Sequence, residues 1–420
     1  MVTEVGGIPG VGAFASPIAR SSVARVGTAT AVTAVCGYAV VYLAARDLAP
    51  AGFSVFAVFW GAFGLVTGAA NGLLQETTRE IRSAGYAEML PGRRTHPLRV
   101  AGMVGIGAAA VIAGSSPLWS SRVFAQAHWL SVGLLSVGLA GFCLHATLLG
   151  MLAGTNRWTQ YGALMVTDAV IRVAVATATV LVGWGLVGFL WATVAGALAW
   201  LMMIGASPST RAAARLLAPG GTATFLRGAA HSITAAGASA ILVMGFPVLL
   251  KVTSTELGAQ GGVVILAVTL TRAPLLVPLT AMQGNLIAHF VDERTARLRA
   301  LIAPAALVGA IGAIGVLAAG LVGPWLLRVG FGPDYHAGGA LLAWLTAAAV
   351  TIAMLTLTGA ATVAAALHRS YALGWVCATL AATLLLLLPL PLETRTVVAL
   401  VCGPLVGIGV HLAALARPGR

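Results

Sequence analysis

Asn71, Gln75 and Arg79 recur at every fourth position of one apolar stretch, and Glu76 stands three before Arg79. On a helix that spacing puts the amides and the guanidinium on one face and lets the carboxylate pair with the arginine. Similar stripes return later. Arg227, His231 and Thr234 share a face, and Arg272 and Gln283 lie eleven residues apart, about three helical turns. Asn285 and His289 make a second stripe beside Gln283, and Asp168 and Arg172 have the i, i+4 spacing of an ion pair. Arginine stays charged, is less strongly hydrated than an ammonium, and binds phosphate oxygens in pairs. The chemistry these residues offer is therefore the capture of an anion. A carboxylate such as Glu76 keeps the empty site from being purely cationic.

These polar residues are set in oil. Hydrophobic residues make up 59% of the 420-residue chain and charged residues only 8%. A bilayer core of about 30 Å takes roughly 20 apolar helical residues to cross. Runs of that length recur from residue 22 almost to the end, which predicts an all-α integral membrane protein. An ionised side chain at mid-depth costs at least about 2.5–3.5 kcal/mol, so those present are expected to face a cavity or a partner. Arg25, Arg79 and Arg227 lie near span ends, where either a cavity or the headgroup layer would receive them. Asp168 with Arg172 reads as a brace inside the first lobe or as an ion-coupling site. His128 and His145 read as interfacial or core histidines. Pro274 and Pro278 follow Arg272 and are expected to break its helix, which would move Arg272 toward an end.

Twelve spans are expected, at about 22–45, 52–75, 98–118, 128–150, 159–183, 185–206, 226–250, 260–288, 301–325, 339–366, 371–391 and 396–416. Gly183-Trp184-Gly185 must make the whole turn between spans 5 and 6. With the termini and even-numbered loops on one face, that face holds seventeen of the 24 basic residues, the other five, and Arg172 and Arg272 lie within spans. Basic residues stay on the cytoplasmic side, so both termini are expected there. The formal charge of +13 is scattered in short loops, which suits topology and anionic lipid better than nucleic acid. Residues 1–21 read as a cytoplasmic tail and not a cleaved signal peptide. Two six-span lobes follow, 22–206 and 226–420, joined by a cytoplasmic linker over 207–225. A six-span repeat relates the lobes by an axis along the membrane normal, with a site between them. The four cysteines lie in apolar runs without CxxC spacing, so neither a disulfide framework nor a metal site is expected.

Several segments resemble the polysaccharide-biosynthesis flippases of the multidrug/oligosaccharidyl-lipid/polysaccharide (MOP) exporter superfamily. Leu43-Ala-Ala-Arg46-Asp-Leu48-Ala-Pro50-Ala-Gly52-Phe53-Ser-Val-Phe56 looks like that group's turn between spans 1 and 2, with Ala49 where the usual residue is glycine. Gly72-Leu-Leu-Gln75-Glu-Thr-Thr-Arg79-Glu80 is similar to its end of span 2, and Leu326-Leu-Arg-Val-Gly330-Phe-Gly332-Pro-Asp334-Tyr335 to its loop between spans 9 and 10. Asp168-Ala-Val-Ile-Arg172 is a looser match. The resemblance implies a two-lobed, alternating-access carrier of lipid-linked saccharide whose cavity is lined by spans 1, 2, 7 and 8.

The expected function is therefore export of a polyprenyl-(di)phosphate-linked saccharide across a bacterial plasma membrane, by a monomer working beside polysaccharide-assembly enzymes. The expected cavity residues are Arg25, Asn71, Gln75, Glu76, Arg79, Arg227, His231, Arg272 and Gln283. No cofactor is expected. With no phosphate-binding glycine-rich loop, the membrane potential is the expected drive, worth about 2.3 kcal/mol per charge per 100 mV. An exporter of drugs or small solutes is the alternative. A membrane glycosyltransferase or ligase is disfavoured because the outer acidic residues sit on short loops.

Overall fold

The structure, a computed structural model, describes residues 17–87, 94–282, 286, 289–291 and 297–417. Among the described residues, ten helices are long and apolar enough to cross a bilayer, and the first of these, Arg25–Ser83, is two spans in one. Its regular geometry fails at Ala49 (φ 51°, ψ 171°), immediately before Pro50. Proline has no N–H for the Arg46 carbonyl and its ring crowds that oxygen, so the helix cannot run on straight. The two ends show that the chain doubles back. Arg25 Nη1 donates to Thr159 Oγ1 at 3.0 Å, and Arg82 Nη2 donates to Asn156 Oδ1 at 2.8 Å. A straight helix would hold those two arginines about 85 Å apart. The turn lies where the sequence predicts it, but span 2 continues as helix to Ala87, well past residue 75.

Spans 3 to 6 are Pro97–Val123, His128–Gly154, Trp158–Val182 and Gly185–Ala206. Gly183 (φ 72°) and Gly185 (φ 55°) take left-handed backbone, which is how three residues close the turn between spans 5 and 6. Span 6 is interrupted by a 3₁₀ turn at Gly196–Leu198. Span 7 is a bent pair, Thr222–Val243 and Phe246–Val252, meeting at 67°. Span 8, Gly258–Ala281, holds Pro274 and Pro278 inside one continuous helix. The expected break therefore falls one span earlier, at Pro247 instead of at Pro274. Spans 9 to 12 are Ile302–Phe331, Gly339–Ala364, His368–Leu386 and Leu392–Leu415. Counting the hairpin as two crossings and the bent pair as one gives twelve, in two six-helix lobes. The lobes share a plan: spans 4 and 10 are mostly buried, and little of spans 3 and 9 is buried.

The segment 207–225, expected as a linker between the lobes, carries structure of its own. A short helix, Pro208–Ala214, starts at Ser207, whose hydroxyl accepts from the Thr210 amide. Strand β1 (Arg94–Thr95) pairs antiparallel with strand β2 (Ala218–Pro219). Arg157 donates to the Ser209 carbonyl, and Thr95 Oγ1 to the Gly220 carbonyl at 2.9 Å. The linker is thus docked on the first lobe as far as Gly220 (φ 86°). We call this side of the molecule the linker face and the opposite side the far face.

Candidate functional site

The lobes meet along span 2 and span 7. Gly61, Gly64, Gly68 and Gly72 line one face of span 2. A methyl group added at Gly61 would lie 3.0 Å from the Pro247 ring, and at Gly64 3.2 Å from Met244 Cβ. At Gly68 it would lie 2.7 Å from Ala240 Cβ, and at Gly72 it would collide with the Ile233 backbone. Glycine lets the two helices approach to backbone contact, the usual device for tight packing in lipid. The seam ends toward the linker face at Glu76. Its side chain is only 4% exposed and lies where a Gly228 side chain would be, with Ser232 Oγ 3.5 Å from its Oε2.

Glu76 is held by Arg79. Arg79 Nη2 donates to Glu76 Oε1 at 2.6 Å and to Glu80 Oε1 at 2.9 Å, while the Arg79 side chain is 67% exposed. Gln75, beside them, is exposed, and Asn71 is half-buried. On span 7, Arg227 and His231 are exposed, and His231 Nδ1 lies 2.7 Å from the Arg227 carbonyl. The predicted pairing of Glu76 with Arg79 is therefore present, and it sits at the boundary between lobes with Arg227 next to Gly228. Arg25 is placed instead against Thr159 of span 5, in the first lobe. Gln283 and Asn285 lie outside the described residues.

Arg272 stands apart from that group. It is 8% exposed, fourteen residues into span 8, about 21 Å along the helix from Gly258. Its Nη1 donates to the Val243 carbonyl at 3.2 Å, and its guanidinium lies 5.3 Å from the Phe246 ring centroid. Val243 is the last residue before the span 7 bend. Four residues on stands Pro247, which has no N–H to offer that carbonyl. Arg272 supplies the missing donor and places a cation at the negative end of a helix inside the membrane. Its Nη2 is buried without a partner among the described residues, and Tyr38 of span 1 is within electrostatic reach.

Asp168 and Arg172 form a second, part-buried set. Arg172 Nε and Nη2 each donate to Asp168 at 3.0 Å, and Nη1 donates to the Thr193 carbonyl at 2.6 Å, just before the 3₁₀ turn of span 6. The guanidinium lies 5.3 Å from the Phe63 centroid, and any side chain at Gly196 would collide with the pair. All these partners belong to the first six spans. His145 is a buried core histidine stacked on Phe142, with no partner on Nδ1 among the described residues.

Sequence reasoning misses Gly228, Ser232 and Pro247. Pro247 is visible in the span 7 run, and the 3- and 4-residue spacing of the span 2 glycines marks a packing face. Nothing in the sequence tells which helix covers that face.

On the far face, the loop between spans 9 and 10 closes on the opposite lobe. Tyr335 is 1% exposed, and its hydroxyl donates to the Ala45 carbonyl at 2.8 Å. Its ring meets Phe53 edge-on, and Phe331 meets Tyr42 likewise. A side chain at Gly262 of span 8 would collide with the Pro50 carbonyl.

The two-lobed bundle of twelve crossings is a fold shared with solved MATE family transporters of the MOP superfamily. An inward-facing multidrug resistance MATE family transporter of that superfamily superposes with a TM-score of 0.67, at 17% identity over 93% of this chain and 95% of its own. The outward-facing conformation of a MATE family transporter gives 0.59, at 16% identity over 95% and 97%. At these identities what is shared is the fold. No protein-family model matches the chain. The chain is 79% identical over 421 residues to Uncharacterized protein Rv3630 of Mycobacterium tuberculosis (strain ATCC 25618 / H37Rv), covering 99% of this chain and 98% of that one, and it belongs to the same family.

Proposed function

We propose that the chain is an alternating-access exporter that carries a polyprenyl-(di)phosphate-linked saccharide from the cytoplasmic to the outer leaflet of a bacterial plasma membrane, supplying cell-envelope polysaccharide. The observation that carries this reading is Arg79. Its guanidinium is exposed at the lobe boundary, anchored to buried Glu76, and extended across the boundary by exposed Arg227 and His231. That arrangement is suited to a phosphate-bearing head, because a guanidinium pairs with two oxyanion oxygens at once. A polar head passing between lobes avoids the oil while its lipid tail stays in it.

The excess of basic residues on the linker face supports placing that face in the cytoplasm, where the cargo is made. The far-face contacts of Tyr335 and Pro50 are those a cytoplasm-facing state must keep shut. The lobes then rock about the short segment after Gly220, where the docked linker gives way to span 7. Arg272, committed to Val243, holds span 7 in its bent shape, and Asp168 with Arg172 braces the first lobe.

A second reading, export of a drug or small solute, draws on the multidrug transporters that share the fold. Exposed guanidinium groups at Arg79 and Arg227 favour an anionic cargo. Depletion of the protein followed by lipid analysis tests the choice. Lipid-linked glycan should accumulate on the cytoplasmic leaflet, and replacing Arg79 or Arg227 singly should impair export while leaving insertion intact. Silence of both substitutions contradicts the site.

A further inference from the structure

We propose that Glu76 is an inter-lobe latch, kept closed by Arg79 and released when an anion takes Arg79 away. The proposal rests on the anionic cargo inferred above and adds how binding would loosen the lobes. Glu76 belongs to span 2, yet its carboxylate is buried against span 7, on Gly228 and near Ser232. The hydroxyl at 3.5 Å is too far to satisfy a buried charge, so the compensation comes from Arg79 at 2.6 Å. A carboxylate can reach this spot only because residue 228 has no side chain.

The geometry of Arg79 makes that compensation conditional. Both of its carboxylate bonds leave from Nη2. A guanidinium offers two edges for paired bonding, Nε with Nη2 and Nη1 with Nη2, and both include that nitrogen. A phosphate that binds Arg79 in bidentate fashion must therefore displace Glu80 or Glu76, and the latch opens when the edge it takes is the one that holds Glu76. Once Glu76 loses Arg79 it is a buried ion without a partner, which is strongly unfavourable. It must swing out toward water, and the seam loses its linker-face end.

Cysteines at Ala69 and Gly237 report the seam directly. A Cβ built at Gly237 lies 3.5 Å from Ala69 Cβ, within disulfide range. The full chain, with its four native cysteines replaced by alanine or serine, would carry this pair in liposomes, and the rate of disulfide formation would be read. Without additions the pair should couple readily. Liposomes containing polyprenyl diphosphate should slow it by roughly tenfold, as should Arg79→Gln, because each leaves the Glu76 charge unpaired. Inorganic pyrophosphate, the second arm, should slow it too if the free phosphate head suffices, and a response to the lipid alone assigns the effect to the lipid-borne head. Glu76→Gln keeps the shape without the charge and should couple fast with or without anion. If Arg79→Gln couples at the parent rate, the latch is overturned. If Arg79→Gln slows coupling and neither diphosphate does, the latch stands and the diphosphate cargo fails.

Discussion

The Tyr335 hydroxyl donates to the Ala45 carbonyl at 2.8 Å, joining the loop after span 9 to the far-face end of span 1 in the other lobe. Two of the segments that resemble flippase motifs meet in this contact between residues 290 apart. Replacing Tyr335 by Phe keeps the ring against Phe53 and removes only the hydrogen bond. We expect Tyr335→Phe to fold, to open the far face more often, and to raise labelling of a cysteine placed at Ala45 by an impermeant thiol reagent. Unchanged labelling would mean the bond does not hold the lobes.

The same contact carries a pH prediction. Burial, and then the neighbouring Asp334, push the Tyr335 phenol above its ordinary value. A phenol whose folded value is raised stabilises the fold fully below the ordinary value near 10, and that contribution is lost as pH rises through the higher folded value. Labelling at Ala45, divided by that of a fully exposed reference cysteine to remove the thiolate's own pH dependence, should stay flat from about pH 6 to 9 and rise only above about pH 10. In Tyr335→Phe the upper rise should vanish.

Arg272 and Pro247 are coupled through the Val243 carbonyl. Arg272→Met should leave that carbonyl unsatisfied in the bilayer, at a cost of about 1–3 kcal/mol seen as a lower thermal midpoint in detergent. Pro247→Ala restores an N–H to the helix and should recover part of the loss in the double variant. Equal losses with and without Pro247→Ala would show that Arg272 acts by another route.

Ala49 occupies backbone that glycine prefers (φ 51°, ψ 171°). An alanine there stores about 1–3 kcal/mol. Ala49→Gly should raise the thermal midpoint, despite the greater freedom of glycine in the unfolded chain. A lower midpoint would mean that the turn relies on the alanine methyl.

The sequence makes the number of crossings legible because hydrocarbon punishes every polar interruption of about twenty residues. The three-residue turn at Gly183–Gly185 is legible for a related reason, since a turn so short needs left-handed backbone. The break in span 7 is not, because Pro247, Pro274 and Pro278 look alike in a list of residues. Only Pro247 faces a bend, and Pro274 and Pro278 stay within a helix that continues to Ala281. Arg272 misleads for the same reason: a lone buried cation suggests a ligand, while its partner is a backbone carbonyl that no side-chain pattern reveals. Glu76 with Arg79 is readable as an i, i+3 pair, but the seat at Gly228 is a contact between lobes more than 150 residues apart.

The central claim is that an anionic lipid-linked saccharide crosses between the lobes. The most direct measurement is leaflet transfer in proteoliposomes of a fluorescent saccharide on polyprenyl diphosphate, read by impermeant quencher with the linker face inside. Wild-type protein should move the lipid outward faster than protein-free liposomes, and Arg79→Gln should lose most of that activity. Transfer no faster than in protein-free liposomes, alongside export of a cationic drug by the same vesicles, would contradict the account.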